Sequence, residues 1–165
     1  MQIKRFSAIL SNFLVLSLIA VVTVEMKKKR LEIDYYYDFE LLGVISTAKG
    51  YKLAWEINRN LFIRLVKQPD LILTSKNKTT VSYSYFSYET NAAMIKLFRN
   101  KPNEIESGKF FLIPEYPHLD YVIMVRGEDQ LVSSPLQELL RNIPSVELIA
   151  FIPLDALKSK DNFIF

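Results

Sequence analysis

The chain has 165 residues but no cysteine, only four glycines and a single histidine. Without cysteine it cannot form disulfides, thiolate nucleophiles or cysteine-ligated zinc sites. The sequence has no Gly-rich loop to cradle a phosphate, no G-x-S-x-G elbow and no H-E-x-x-H helix. Because His118 is the only histidine, any histidine-dependent acid–base or triad chemistry has to use it.

The charges are nearly balanced, with 21 basic and 18 acidic residues and a formal net charge of +3. There is no RNP-type motif and no basic stripe that would hold phosphates, so nucleic acid is not expected as a partner. No motif specific for a metal or an organic cofactor is present, and we expect none. Hydrophobic residues make up 50% of the chain, which is enough for one domain with a single core.

Runs of strand-forming residues predict that most of the chain is β-structure. From Leu31 to Leu41 apolar and polar residues alternate without a break, which is typical of a strand with one buried face. Further strands are expected at 62–67, 71–74, 79–88, 92–98, 110–113, 119–126 and 146–152. The strand at 119–126 is apolar on both faces and is expected in the middle of the sheet. A change in the parity of large residues near Tyr85 and Phe86 predicts a β-bulge.

Two segments have the periodicity of amphipathic helices. Ser46-Thr47 offers an N-cap for a helix over about 47–60, and Trp55 lies on its predicted buried face as an anchor of the core. A Ser-Pro start and a following proline predict a second helix over about 135–143. Strands joined mostly by hairpin-length links, with two helices, indicate a single α+β domain on a mainly antiparallel sheet. A doubly wound parallel fold is disfavoured because alternating βαβ units are missing.

The most specific pattern in the chain is IPEYPHLDY at residues 113–121. It resembles the signature after which the bacterial IPExxxVDY family is named, with Leu119 in place of the valine. Residues 38–44 and 51–58 are similar to earlier segments of that family, so the resemblance covers the chain from about Met26 onward. The resemblance implies membership of a group of small bacterial proteins, but it implies no reaction.

Residues 1–25 form an apolar extension with an uncharged run at 6–24. As a helix with a rise of ~1.5 Å per residue, this run would span roughly 28 Å, about one hydrocarbon core. It is a membrane anchor with a cytoplasmic body if the basic residues 27–30 set its orientation. A signal peptide is disfavoured because no small-x-small cleavage site follows. We predict instead a misassigned start, with translation from Met26, where members of the resembled family typically begin. The domain over 26–165 is then cytoplasmic, with membrane contact only if the extension is translated and retained.

The polar residues of the 113–121 pattern allow a catalytic interpretation. Glu115, His118 and Asp120 together would supply an acid–base pair, or two carboxylates and an imidazole for a divalent metal. This group is the candidate polar cluster of the chain.

The same residues also allow a structural interpretation, which we prefer. Pro114 and Pro117 preset a turn, and Asp120 accepts hydrogen bonds from backbone N–H groups of the loop. Tyr121 then packs in the core with its hydroxyl bonded. Carboxylates with specific partners occur in scaffolds as well as in active sites.

The sequence therefore predicts a small, non-catalytic module that binds an unknown protein partner or a second copy of itself. Aromatic residues are favoured at protein interfaces. The tyrosines expected at such a surface are Tyr36, Tyr83, Tyr85 and Tyr116. The alternative is a small acid–base or metal-dependent enzyme that uses Glu115, His118 and Asp120.

Overall fold

The central element of the computed structural model, which describes residues 37–74, 78–103, 110–127 and 133–165, is a six-stranded antiparallel sheet. The strands are β1 Glu40–Ser46, β2 Val66–Lys67, β3 Leu71–Thr74, β4 Thr80–Tyr83, β5 Tyr85–Glu89, β6 Ala93–Arg99, β7 Tyr121–Gly127 and β8 Val146–Ile152. The helices are α1 Gly50–Leu61 and α2 Ser133–Arg141, with short 3-10 helices at Leu154–Ala156 and Lys160–Phe163. The main sheet has the order β2-β5-β6-β7-β1-β8, and β3 and β4 pair separately. The predicted α+β domain with an antiparallel sheet is confirmed.

Two neighbouring inner strands, β7 and β1, are buried on both faces. All five residues of 121–125 are buried, which confirms the predicted central strand. β1 pairs with β7 on one side and with β8 on the other, both antiparallel. A Cβ on Gly43 of β1 would lie 2.5 Å from Leu119 Cδ1 and 3.1 Å from Ile152 Cδ1. Any side chain at position 43 would therefore force Leu119 to shift, because Leu119 packs directly on the backbone of β1.

One face of the sheet is covered by the two helices. Leu53 and Ile57 of α1, with Leu140 of α2, pack in one buried cluster with Leu42 and Ile123 of the sheet. Each of these side chains is at most 2% exposed. Full burial of such a side chain is worth roughly 1.5–3 kcal/mol, so this layer is a major source of stability.

The opposite face is covered by the β3–β4 hairpin, the 110–120 loop and the C-terminal segment. Phe98 of β6, fully buried, is the central aromatic of this layer. Its ring stacks on Tyr85 at 5.1 Å between centroids and meets Phe163 edge-on at 5.5 Å. Leu112 of the loop is fully buried in the same cluster.

Four of the strand predictions need correction. In the described part of the predicted 31–41 strand, residues 37–39 are not in a strand, and β1 runs over 40–46. β1 pairs on both sides, and a doubly buried strand reads as an apolar run rather than an alternation. Residues before 37 lie outside the described part of the chain, as does the predicted extension at 1–25 with its boundary at Met26. Residues 110–113 are a loop, since their backbone bonds run to Asn100 and Asn162 rather than to a neighbouring strand.

The predicted strand at 79–88 is two strands in two different sheets. The parity change does not come from a bulge, because the strand is interrupted at Ser84. Before this residue β4 pairs with β3, and after it β5 pairs with β2 and β6. The Ser84 carbonyl accepts a hydrogen bond from Arg99 N. The predicted strand at 62–67 is reduced to β2, because Phe62 takes a left-handed conformation, with φ at 54°, and ends α1.

The N-cap and the buried face of the first helix were predicted wrongly. Ser46 does not cap α1, because its hydroxyl donates to the Ser145 carbonyl and accepts from Ala48 N, and the helix begins at Gly50. Trp55 does not anchor the core, since its side chain is 58% exposed. Two apolar sets overlap in this helix, and the sheet buries the aliphatic set of Leu53, Ala54 and Ile57 instead of the set with Trp55.

The helices of the described ranges were also compared with the length of a membrane span. None of them is both long and apolar enough to cross a bilayer. The run at 6–24 is not among the described residues.

We predict that truncating two aromatic residues changes the free energy of unfolding by very different amounts. Phe98→Ala should lower the free energy of unfolding by about 3–5 kcal/mol, because it leaves a cavity in a closely packed layer. Trp55→Ala should change it by no more than about 0.5 kcal/mol, because an exposed side chain leaves no cavity. Urea unfolding curves of both variants give these values. A large loss of stability in Trp55→Ala would show that this indole is buried in solution.

Candidate functional site

The 113–121 segment forms two consecutive turns between the 110–113 loop and β7. Tyr116 N donates to the Ile113 carbonyl at 3.2 Å, and Leu119 N donates to the Tyr116 carbonyl at 3.2 Å. Pro114 and Pro117 therefore occupy the second position of each turn, where the fixed φ of proline fits. Both prolines are exposed, whereas Ile113 and Leu119 are buried. The prolines shape the turns, and the two aliphatic side chains fix them to the core.

Asn100, directly after β6, holds both turns against the sheet. Its side chain is fully buried, and Nδ2 donates to the carbonyls of Tyr116 at 3.0 Å and Leu119 at 2.9 Å. Its Oδ1 accepts from Ile113 N at 2.9 Å. Its backbone N–H donates to the Asp120 carbonyl at 2.9 Å. The sequence analysis missed this residue because a single asparagine after a strand reads as the start of a loop.

Glu115 binds the C-terminal segment. Its Oε1 accepts from the backbone N–H groups of Lys158 at 2.7 Å and Ser159 at 3.0 Å, and Oε2 accepts from Ser159 Oγ at 2.8 Å. Burial acts to raise the pKa of Glu115. The hydrogen bonds that the carboxylate accepts from the Ser159 hydroxyl and from three backbone N–H groups, its own included, outweigh burial. They hold the pKa below its ordinary value of 4.5. The carboxylate therefore stays ionised at neutral pH, which suits a hydrogen-bond acceptor better than a general acid.

Asp120 and Tyr121 connect β7 to the segment between β1 and α1. Asp120 Oδ2 accepts from Ser46 N at 3.2 Å, and Oδ1 lies 3.0 Å from Lys101 Nζ. The Tyr121 hydroxyl donates to the Ala48 carbonyl at 2.6 Å. Burial raises the pKa of Tyr121, with Asp120 acting in the same direction and Arg99 against it. The phenol therefore remains a neutral donor.

The three residues of the candidate polar cluster do not act as one group. Glu115 is bonded to the C-terminal segment and Asp120 to Ser46 and Lys101, while His118 is exposed, with its ring 6.1 Å from that of Tyr116. Within the described ranges, no group of three or more His, Asp or Glu side chains is arranged to hold a metal ion. The geometry gives the two carboxylates structural partners and provides no acid–base pair.

The outer face of α1 carries a second group of unusual residues, here called the α1 surface. Tyr51, Trp55 and Phe62 are 68%, 58% and 94% exposed. Tyr51 and Trp55, four residues apart, lie on one side of the helix, away from the buried set, and Phe62 follows directly after its last residue. Single exposed aromatics are ordinary, but three along one helix and its C-terminal end form a patch typical of binding surfaces.

The charge on the α1 surface is positive. Lys52 and Arg59 are exposed, and the Arg59 guanidinium lies 5.7 Å from the centre of the Trp55 ring. The acidic residue Glu56 has a side chain only 15% exposed, and it accepts a hydrogen bond from the Ser145 hydroxyl. The accessible surface thus combines aromatic rings with cations.

The predicted tyrosine surface is not the one that the structure presents. Tyr83 is only 3% exposed in the core, and Tyr85 stacks on Phe98. Tyr116 is half-buried beside His118, and Tyr36 lies outside the described residues. Tyr51 and Trp55 lie at helical spacing but outside the buried aliphatic set of α1. This surplus of apolar residues in the helix was the sequence signal for the α1 surface.

The chain was compared with known proteins. No protein-family model matches it, and no curated protein matches it. The resemblance of residues 113–121 to the IPExxxVDY family stays a prediction.

We predict that Asn100→Ala destabilises the fold strongly. The variant removes the hydrogen bonds that Asn100 makes to Ile113 N and to the Leu119 carbonyl, and one of the two that reach the Tyr116 carbonyl. Each buried group left unsatisfied costs about 1–3 kcal/mol. A total loss of roughly 3 kcal/mol or more is expected in chemical unfolding. Asn142→Ala is the matched control, because Asn142 is exposed after α2 and should change stability little. Equal effects of the two substitutions would contradict the central role of Asn100.

We predict that Glu115 contributes to stability in a pH-dependent way. A carboxyl whose pKa is lowered on folding stabilises the folded state fully above its unfolded pKa, and this contribution disappears as pH falls through the folded pKa. The wild type should therefore lose thermal stability below about pH 4.5, and Glu115→Gln should lose less over the same range. Melting temperatures measured from pH 7 down into this range test the expectation. Parallel curves for the two proteins would show that the Glu115 bonds do not form in solution.

Proposed function

We propose that the protein is a non-catalytic binding module that recognises an acidic protein partner through the α1 surface. The observation that carries this proposal is the exposure of Tyr51 and Trp55 on one face of α1 and of Phe62 directly after it. Aromatic side chains bring large contact areas at low entropic cost, and they dominate the energetics of protein interfaces.

The conformation of Phe62 supports a binding role for this surface. A left-handed residue at the end of a helix is usually glycine, because the Cβ of other residues is strained there. Phe62 adopts φ at 54° with a side chain 94% exposed, so it makes no core contact that would offset the strain. Such strain at an exposed aromatic is typical of positions kept for function rather than stability.

The charges of the surface support an acidic partner over a second copy of the chain. Lys52 and Arg59 flank the aromatic residues, and the Glu56 carboxylate is occupied by Ser145 and lies 3.9 Å from Lys52 Nζ. Two copies that meet through this surface would bring cations together, which is unfavourable at an interface. A partner with carboxylates around an apolar groove would complement both features.

The family and the compartment remain proposals beside this one. The IPE and DY residues at the two ends of the 113–121 segment support membership of the IPExxxVDY family. The basic residues 27–30 support a cytoplasmic domain.

The test measures how tightly the wild type and its variants, all as the full chain, bind the proteins that co-purify with the wild type. Each captured protein is produced separately, and its affinity is measured by titration of the fluorescence of Trp55, the only tryptophan. We expect an acidic partner whose binding shifts the emission of this indole to shorter wavelength and weakens with added salt. Phe62→Gly should weaken binding at least about tenfold while it raises stability by roughly 1 kcal/mol, because it removes a contact and relieves strain.

Phe151→Ala is the matched control, since Phe151, 49% exposed, is an exposed aromatic on β8 and away from the α1 surface. It should leave the affinity unchanged. A partner that binds Phe62→Gly as tightly as the wild type would contradict the proposal. A concentration-dependent dimer that Phe62→Gly abolishes would replace the acidic partner with a second copy of the chain.

A further inference from the structure

A cleft of about 550 Å³ opens on the sheet face that carries Phe98, near the β2 edge. Val66, Ser87 and Lys96 lie opposite one another in β2, β5 and β6. Directly opposed residues of an antiparallel sheet share a face, so their side chains form one row across the cleft. The same row continues through Met124 of β7 into the core. Lys96 therefore stands where the apolar core meets the cleft.

The ammonium group of Lys96 is unusually placed for a lysine. Its Nζ lies 4.4 Å from the centre of the Phe165 ring, and no carboxylate of the described residues lies within 4.0 Å of it. Burial lowers the pKa of Lys96, with Arg126 acting in the same direction and Glu89 against it. A half-buried cation without a close counter-ion is costly, and lysines are seldom buried unless paired.

The other groups around the cleft complement an oxyanion. Arg64 adds a second cation and Glu89 a single carboxylate, so the lining retains one net positive charge. Ser87, opposite Lys96, and Gln68 add neutral donors to the lining. Arginine and lysine are the usual partners of carboxylate and phosphate groups, with hydroxyls and amides as supporting donors. The volume lies within the usual range of small-molecule sites, about 300–1,000 Å³.

We propose that this cleft is a binding site for a small molecule that carries a carboxylate or phosphate group, with Lys96 as its principal contact and Arg64 as the second. The ligand anion supplies the close counter-ion that Lys96 lacks within the described residues. Phe165, 58% exposed and in contact with the Lys96 ammonium group, packs beside the bound molecule. The site is on a different surface from α1, so it does not depend on the proposed protein partner.

The experiment is an NMR titration of the full-length, ¹⁵N-labelled protein. Sodium benzoate serves as the carboxylate probe, inorganic phosphate as the phosphate probe, and sodium chloride at matched ionic strength as the control. We expect saturable shifts at residues 64–68, 85–89 and 96 with at least one probe, and none with chloride. Saturation by benzoate alone assigns a carboxylate ligand, and saturation by phosphate alone assigns a phosphate ligand.

Two lysine variants test the role of Lys96. Lys96→Met should weaken binding at least about tenfold, because it removes a charge-assisted hydrogen bond. It should also fold, since Met fits beside Met124 and removes a poorly solvated charge. Lys158→Met is the matched control, because Lys158 is exposed on the C-terminal segment and should leave the affinity unchanged. Absence of saturable shifts with both probes, or unchanged binding in Lys96→Met, would overturn the proposal.

Discussion

The buried side chain of Asn100 is the interaction on which the rest of this structure depends. Its amide binds three backbone groups of the 113–119 segment, and the bonds to Ile113 N and the Leu119 carbonyl are buried. Leaving those two groups unpaired would cost a large part of the stability margin of a small domain. Because these bonds fix the two turns, they also fix where the next carboxylates lie. Asp120 is directed to Ser46 at the end of β1, and Glu115 is directed to Lys158 and Ser159.

Through Glu115 the same constraint reaches the layer that covers the sheet. The 158–159 backbone leads into the 3-10 helix Lys160–Phe163, whose Phe163 closes over Phe98. Asn162 Nδ2 adds a bond of 2.8 Å to the Leu112 carbonyl, so the loop and the C-terminal segment are bonded to each other as well as to the core. Glu115 and Asp120 thus both have structural partners. A perturbed carboxyl pKa is compatible with catalysis, but here the hydrogen bonds that lower it are those that close the fold.

The sequence was sufficient where local chemistry and burial agree. The apolar run of β7 required a doubly buried strand, and Pro114 and Pro117 are found in turns that their fixed φ favours. It was insufficient where two patterns overlapped or where contacts were distant. The helix at 50–61 contains two apolar sets that share Ala54, and only the position of the sheet decides that Leu53 and Ile57 are buried and Trp55 is not. The partners of Asn100 are 13 to 19 residues away, so no local pattern could reveal them.

The places where the chain departs from its best local choice separate stability from function. In the 113–121 segment Glu115, Asp120 and Tyr121 have hydrogen-bond partners. The two prolines occupy turn positions that suit their fixed φ, so this segment follows the usual residue preferences. Directly after α1 a large aromatic takes a left-handed conformation that glycine would adopt without strain, and three aromatic rings on and beside this helix face water. Natural sequences tend to break local rules at functional positions, because selection for binding acts there against stability. The 113–121 segment therefore supports the fold, and the α1 surface, which carries no recognisable motif, is the surface that we propose for binding.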